Sequence, residues 1–489
     1  MKNKLFYATI LATGIFAAGA LCGCSAGKDS KKKPITKANF TVNTSVPESE
    51  DLKIPDLIGE KAVLQQNSVI KFWGSYTEDC PVAVCVNDTF YYGECVNGTF
   101  ELLIRTEEAS KGNTITVYTQ KEKKTINDVW FGEVFLCAGQ SNMQFTLSEF
   151  STPPQQASRD VRVATVPVLQ LKAPVTTPMT DTDMVWLNMQ DSLPNVSAVG
   201  YYFAEKMAEE LKCPIGIVVC AAGDTIVASW LPEEKASQLP PIYQETRNDY
   251  YWVRTASHMY NTMLSPILKG TFKSVIWYQG ENQSYQYDIF LTEMINCWRE
   301  KFEQPKLPFT IIELVGCGDS WIQNWPEIRV MQRKVSEELD NCTISVNIDL
   351  GEKNNIHPFD KEPVALRAAY ATLNALYNGK YPDSPVLQKT EFKDNTLRLT
   401  FSNDEGMIIK GNAELAFEIS PDGRAWYGAS AHLDGNTVVL TYDENIKPVS
   451  VRYAWANYCA DMAVLYNKDS MPADTFLVEL DKSGKIKEE

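Results

Sequence analysis

The sequence predicts an α/β fold in which a mostly parallel sheet is covered by helices and flanked at each end by a β-rich region. Three observations predict it. Short apolar segments separated by Gly, Asn and Asp fill the region before Asp128. Apolar strand-like runs then alternate with helix-period segments as far as Leu376, and short strand signals return from about Val386 onward.

Met1 to Ala20 combine a basic start, Lys2 and Lys4, with an apolar run too short for a comfortable bilayer span. Leu21-Cys22-Gly23-Cys24 has the leucine, small residue and cysteine arrangement of a bacterial lipoprotein processing site. The expectation is a signal peptide over 1–23, acylation of Cys24, and membrane contact through the N-terminal lipid. The alternative is an ordinary signal peptide with two incidental cysteines. Residues 24–45 are rich in Ser, Lys, Thr and Pro, carry too little apolar surface to fold, and suit a tether. Ser25 and Ala26 lack the aspartate associated with inner-membrane retention, which favours an outer-membrane lipoprotein, periplasm-facing or at the cell surface.

Over 46–126, Ala62 to Gln65, Val69 to Trp73, Val82 to Val86, Thr99 to Ile104 and Thr114 to Tyr118 read as strands of a small β domain. Residues 127–380 are the catalytic candidate. Val129 to Ala138 is a strand, and Val196 to Leu211 places Val199, Phe203, Met207 and Leu211 on one helical face. Ile215 to Ala222 follows as a buried strand. Val275 to Tyr278, Phe309 to Leu314 and Thr343 to Ile348 are further strands, and Tyr285 to Phe302, Trp325 to Leu339 and Pro363 to Leu376 are helices. Residues 381–489 read as a β-sandwich-like domain with strands at Leu397 to Phe401, Leu415 to Ile419, Thr437 to Thr441 and Val449 to Ala454, and turns at Asp422-Gly423 and Asp434-Gly435.

The 489 residues include 46 Lys plus Arg against 62 Asp plus Glu, a net charge of −16. Such a surface repels nucleic acid, so a neutral or locally steered ligand is expected. Beyond Cys22 and Cys24, the cysteines run from Cys80 to Cys459 without paired metal spacing, and there is no histidine pair to hold zinc. A disulfide among Cys80, Cys85 and Cys95 is compatible with an extracytoplasmic address, although the sequence does not set connectivity.

In parallel sheets ligands sit at the carboxyl ends of strands. Ser141, Gly223, Gln279 and Asp349 fall at or just beyond such ends. A serine hydroxyl needs a nearby base to become a nucleophile. Only His258, His357 and His432 are available. His357 lies in a loop after a strand, held by Pro358. His258 reads as a packed or rim residue, and His432 belongs to the terminal β domain. Gly139-Gln140-Ser141-Asn142 places Ser141 at a strand-to-helix junction where main-chain amides can meet an oxyanion, although Ser and Asn also cap ordinary helices. Gly223 offers a second such amide, or merely a tight turn. In Gln279-Gly280-Glu281-Asn282, the Gln279 amide can donate to an oxyanion and Glu281 can orient a polar neighbour.

The joined strings Val63-Leu64-Gln65, DVWFGEVFLCAGQSNM over Asp128 to Met143, MYNTMLSPILKGTFKSVIWYQGEN over Met259 to Asn282, Asp349-Leu350-Gly351, Ile356-His357-Pro358 with Lys361, and VRYAW over Val451 to Trp455 form a specific set. Together they resemble the sialate O-acetylesterase family of SGNH/GDSL-type hydrolases, from about Leu52 to Phe476. The resemblance implies an SGNH-hydrolase-like parallel sheet and removal of O-acetyl groups from carbohydrate. O-acetylated sialic acid is the favoured substrate, with acetylxylan or another plant glycan as the alternative and a catalytically impaired carbohydrate-binding lipoprotein as a third reading. It further implies Ser141 as nucleophile, His357 as base, Gly223 and Gln279 as oxyanion contributors, and no cofactor or metal. The acid departs from the wider pattern, because the position three before His357 is Asn354, followed by Asn355. Asp349 is the nearest upstream carboxylate at a strand end and Glu281 the best remote one. A Ser–His dyad helped by an amide or carbonyl is the remaining arrangement.

Overall fold

One strand of 17 residues, Lys123–Gly139, organises the molecule, and its half from Val129 to Gly139 is buried throughout. A strand covered on both faces has no solvated side to fill with polar residues, so its sequence is almost continuously apolar rather than alternating. The computed structural model describes residues 40–150, 154–169, 171, 173–239, 252–282, 285–319, 324–462 and 465–487.

Around the long strand the central sheet runs in the order Cys342–Ser345, Phe309–Ile312, Ser274–Tyr278, Lys123–Gly139, Ile215–Ala221, Val161–Thr165 and Leu187–Asn188. Every neighbouring pair is parallel except the last, where Leu187–Asn188 closes one edge antiparallel. The helix Ala198–Leu211 is capped by Ser197, whose Oγ accepts the Gly200 N–H at 3.0 Å, and it buries Val199, Phe203 and Met207. It packs on the helix Glu362–Tyr377, while Tyr287–Lys301 packs on Trp325–Glu338. All four were expected within two residues of these bounds. The apolar period that marks them in sequence is the stripe they bury.

The central sheet is mixed because the long strand continues past it. Val63–Gln65 joins this strand parallel, and Ser110–Tyr118 joins it antiparallel and carries the hairpin of Cys80–Val86 and Thr89–Cys95. The position expected for a domain boundary, 126/127, therefore lies inside a continuous strand. A single hydrophobic core runs from Leu52 to Leu373 across it. Thr89–Cys95 was not recognised in the sequence, where Gly93 interrupts it. The turn before it, Asn87-Asp88, has positive φ at both residues (44° and 70°), the form that matches strand twist in a two-residue hairpin.

A second core, from Val346 to Leu480, belongs mainly to the C-terminal part. There Val386–Lys393, Thr396–Ser402, Thr437–Thr441 and Ser430–Asp434 form one four-stranded antiparallel sheet, and Tyr427–Gly428, Phe417–Ser420, Ser450–Tyr453 and Phe476–Glu479 form another. Gly423 and Gly435 adopt the positive φ (73° and 62°) expected of their Asp-Gly turns. Among the described residues no helix is long and apolar enough to cross a membrane. Cys24, the signal segment and most of the tether lie outside the described residues.

Candidate active site

Three adjacent parallel strands end at one level, because Gly139 is in register with both Ala221 and Tyr278. The loops that follow are therefore neighbours, which brings residues distant in sequence onto one rim. Gly139 makes this approach close. At φ 140°, a Cβ on it would lie 2.0 Å from the Tyr278 carbonyl oxygen, so no side chain fits. The Gln140 N–H donates to that same carbonyl at 3.0 Å, and a one-turn helix, Ser141–Gln144, begins immediately.

Ser141 is 7% exposed and its Oγ lies 2.9 Å from His357 Nε2. As the first amide of a helix, its N–H has no intrahelical acceptor. His357 reaches the serine from a loop fixed by its own N–H, which donates to Asn355 Oδ1 at 3.0 Å. The ring meets Phe145 and Phe150 edge-on, with centroids 4.7 and 5.8 Å away. Burial, reinforced by the nearby Lys361 ammonium, pushes the imidazole pKa down to about 4. It is thus neutral at neutral pH, the state a proton acceptor requires.

Behind this pair lies a buried polar chain. Lys361 has no exposed surface and donates from Nζ to Asn142 Oδ1 at 2.6 Å. Asn142 donates from Nδ2 to Glu281 Oε1 at 2.6 Å and to the Ile356 carbonyl at 3.1 Å. Burial pushes the Lys361 ammonium down to about 7, against the pull of Glu281, and raises the Glu281 carboxyl above its ordinary value. A buried cation and carboxylate joined through an amide satisfy each other better than either would alone, and they tie the serine turn to the histidine loop. Glu281 does orient a polar neighbour, which is Asn142. The roles of Asn142 and Lys361 were not assigned from the sequence. The only signal was their presence in the strings around Ser141 and His357.

Two expected contributors make their hydrogen bonds with other groups. The Asp349 carboxylate is held by both guanidinium ends of Arg367, at 2.6 and 3.0 Å, and turns toward the helix Glu362–Tyr377. No carboxylate among the described residues hydrogen-bonds the His357 ring. Gln279 has no exposed surface, and its side-chain Nε2 donates to the Thr225 carbonyl at 3.1 Å. Its main-chain carbonyl accepts from Tyr287 Oη and Gln332 Nε2, which braces the strand end. Gly223 does lie beside Ser141, since a Cβ on it would be 3.4 Å from the Ser141 Cβ, and its N–H donates to Gln144 Oε1 at 2.7 Å. Beyond it Asp224 is paired with Arg254 and accepts from Asn282 Nδ2 at 2.9 Å.

The other histidines are remote in role as well as sequence. His258 is buried, with Nδ1 accepting the Val175 N–H at 3.0 Å, and burial lowers its pKa. His432 lies on the C-terminal strand Ser430–Asp434, paired with Val439. No group of three or more His, Cys, Asp or Glu suited to a metal ion occurs among the described residues. The ten cysteines from Cys80 to Cys459 are free thiols.

Residues 131–373 match the family model described as carbohydrate esterase, sialic acid-specific acetylesterase. The sialate O-acetylesterase of Mus musculus is 26% identical over 445 residues, covering 76% of this chain and 81% of its own. That of Homo sapiens is 26% identical over 407 residues, covering 73% and 77%. Among solved structures, a carbohydrate acetylesterase from Xanthomonas citri superposes with a TM-score of 0.78 at 25% identity, covering 88% of this chain and 99% of that one. Over its central region, which holds the strand-end serine and histidine, the chain is thus similar to carbohydrate acetylesterases in sequence and in architecture.

Proposed function

We propose that the protein is a serine esterase that removes O-acetyl groups from carbohydrate, with Ser141 as nucleophile and His357 as base. The observation that carries this reading is the 2.9 Å contact between Ser141 Oγ and His357 Nε2 at the convergence of three strand ends. Ser141 Oγ attacks the acetyl carbonyl carbon while its proton passes to His357 Nε2. The oxyanion takes hydrogen bonds from the Ser141 and Gly223 main-chain amides. As the tetrahedral intermediate collapses, His357 returns that proton to the departing sugar oxygen. Water then repeats the sequence on the acetyl-enzyme, releasing acetate and restoring the serine.

The ring of His357 is positioned by Phe145, Phe150 and its loop, with the Lys361–Asn142–Glu281 chain holding that loop to the serine turn. On this reading the centre is a dyad with an amide-linked support in place of a directly bonded acid. Sialic acid as the sugar is supported by the family model's description and by the names of the mammalian relatives. A fluorophosphonate should label Ser141, and Ser141→Ala should lose both the label and acetyl release. Acetate release from 9-O-acetylated sialic acid measured beside that from acetylxylan assigns the sugar, and a preference for xylan would overturn the sialate assignment while leaving the esterase intact.

A further inference from the structure

The amide that the proposed reaction needs is already occupied. Gly223 N–H donates at 2.7 Å to Gln144 Oε1, a carboxamide oxygen with the same acceptor chemistry as an acetyl carbonyl. Gln144 stands three residues after Ser141 on the same single helical turn, so its side chain shares the face of the nucleophile. The fit is tight. A Cβ placed on Gly223 would meet Gln144 Oε1 at 3.3 Å and Ser141 Cβ at 3.4 Å, so the carboxamide oxygen and the nucleophile's side chain flank the same glycine. Gln144 is half-buried, and among the described residues its side chain makes this one hydrogen bond and no other.

We propose that Gln144 is a displaceable stopper of the oxyanion site: its side-chain oxygen occupies the Gly223 amide in the free enzyme and is exchanged for the acetyl carbonyl when substrate binds. This rests on the esterase reading above. An amide turned from water and left without an acceptor is costly, so a resident oxygen keeps this half-buried site formed while it is empty. The exchange replaces one hydrogen bond by another of the same kind, and no covalent bond changes. Displacement happens on binding and persists through the transition state, so it raises KM without lowering kcat, as a uniform binding term does. It also makes Gln144 a specificity-determining residue. An acyl oxygen must compete with it, which penalises esters whose bulk keeps the carbonyl from seating.

The test uses the full chain with p-nitrophenyl acetate and, as a second ligand, acetate as product inhibitor. Gln144→Leu keeps the volume but removes the acceptor. KM and the acetate inhibition constant should both fall by about threefold to tenfold, the worth of one neutral hydrogen bond, with kcat unchanged. Gln144→Glu puts a charged acceptor on the same amide, which binds it more tightly, so both constants should rise by about tenfold or more. A KM that rises in Gln144→Leu, or a kcat that drops tenfold with KM unchanged, would make Gln144 a positioning residue and overturn the proposal. Thermal melting of both variants separates these outcomes from misfolding, and the opposite signs expected of two substitutions at one site cannot come from general damage. Parent-like kinetics in both variants, with activity lost in Ser141→Ala, would sink the stopper alone. Acetyl release surviving in Ser141→Ala would instead sink the reading beneath it.

Discussion

Replacing Lys361 by Met should move the acid limb of the pH–rate profile, because this fully buried lysine acts on the His357 ring. In the parent, burial is the larger cause of the depressed imidazole pKa and Lys361 the second, and together they place it at about 4. A proton acceptor works only when unprotonated, so kcat/KM should be lost as pH falls through about 4, well below the ordinary histidine value of about 6.5. At pH 5 roughly nine-tenths of the parent's His357 is neutral, whereas an unperturbed imidazole would be about 3% neutral. Methionine fills most of the lysine volume but carries no charge. The larger cause, burial, remains, so the limb in Lys361→Met should rise but stay below about 6.5. The assay is kcat/KM for p-nitrophenyl acetate from pH 3.5 to pH 8, with folding checked by melting at each end. Because Lys361 also holds Asn142 at 2.6 Å, some loss across the whole profile is expected as well. The displaced limb distinguishes the charge from that structural part. A parent limb near 6.5 would refute the desolvated neutral base, and a parent limb at 4 unmoved in Lys361→Met would refute the contribution of the lysine field.

Asp349→Asn should lower melting temperature more than turnover, since it weakens a half-buried bidentate contact with Arg367 and leaves a guanidinium without its counter-charge. A loss of kcat/KM above about a hundredfold in a parent-stable Asp349→Asn would instead restore it as the acid. Glu281→Gln keeps an acceptor for Asn142 but removes the carboxylate that faces Lys361, so a moderate fall in turnover and a lower Lys361 pKa are expected, read from a shifted pH profile. His357→Ala should abolish acetyl release while His258→Ala and His432→Ala retain most of it, and equal losses in the three folded variants would count against His357 as base. Cys24→Ser should block lipid attachment and move the protein out of the detergent-soluble membrane fraction, whereas failure of labelled palmitate to enter the parent in its native host would argue against anchoring.

Hydrophobic periodicity alone determined much of the α/β order: apolar runs such as Ile215–Ala221 and the helical stripe of Val199, Phe203 and Met207 lie where a buried strand and a one-sided helix must put them. Scarcity also made the candidate base legible, because three histidines leave few choices for a serine at a strand end. The sequence could not show where one domain stopped, since pairing along the long strand Lys123–Gly139 is a long-range contact that joins the first β region to the central sheet. Nor could it choose between Asp349 and Glu281. A carboxylate's partner depends on which way a turn faces after its strand ends, and that was decided by Arg367 on a helix for Asp349 and by Asn142 on the serine turn for Glu281. Gln279 shows the same limit. Its side chain could donate to an oxyanion by chemistry, but in the folded chain its Nε2 donates to the Thr225 carbonyl. Residue type and spacing set what each group is able to do, while strand register and burial, which bring together residues far apart in the chain, decided which groups meet: His357 with Ser141, Lys361 with Asn142, Asp349 with Arg367 and the Gln279 side chain with the Thr225 carbonyl.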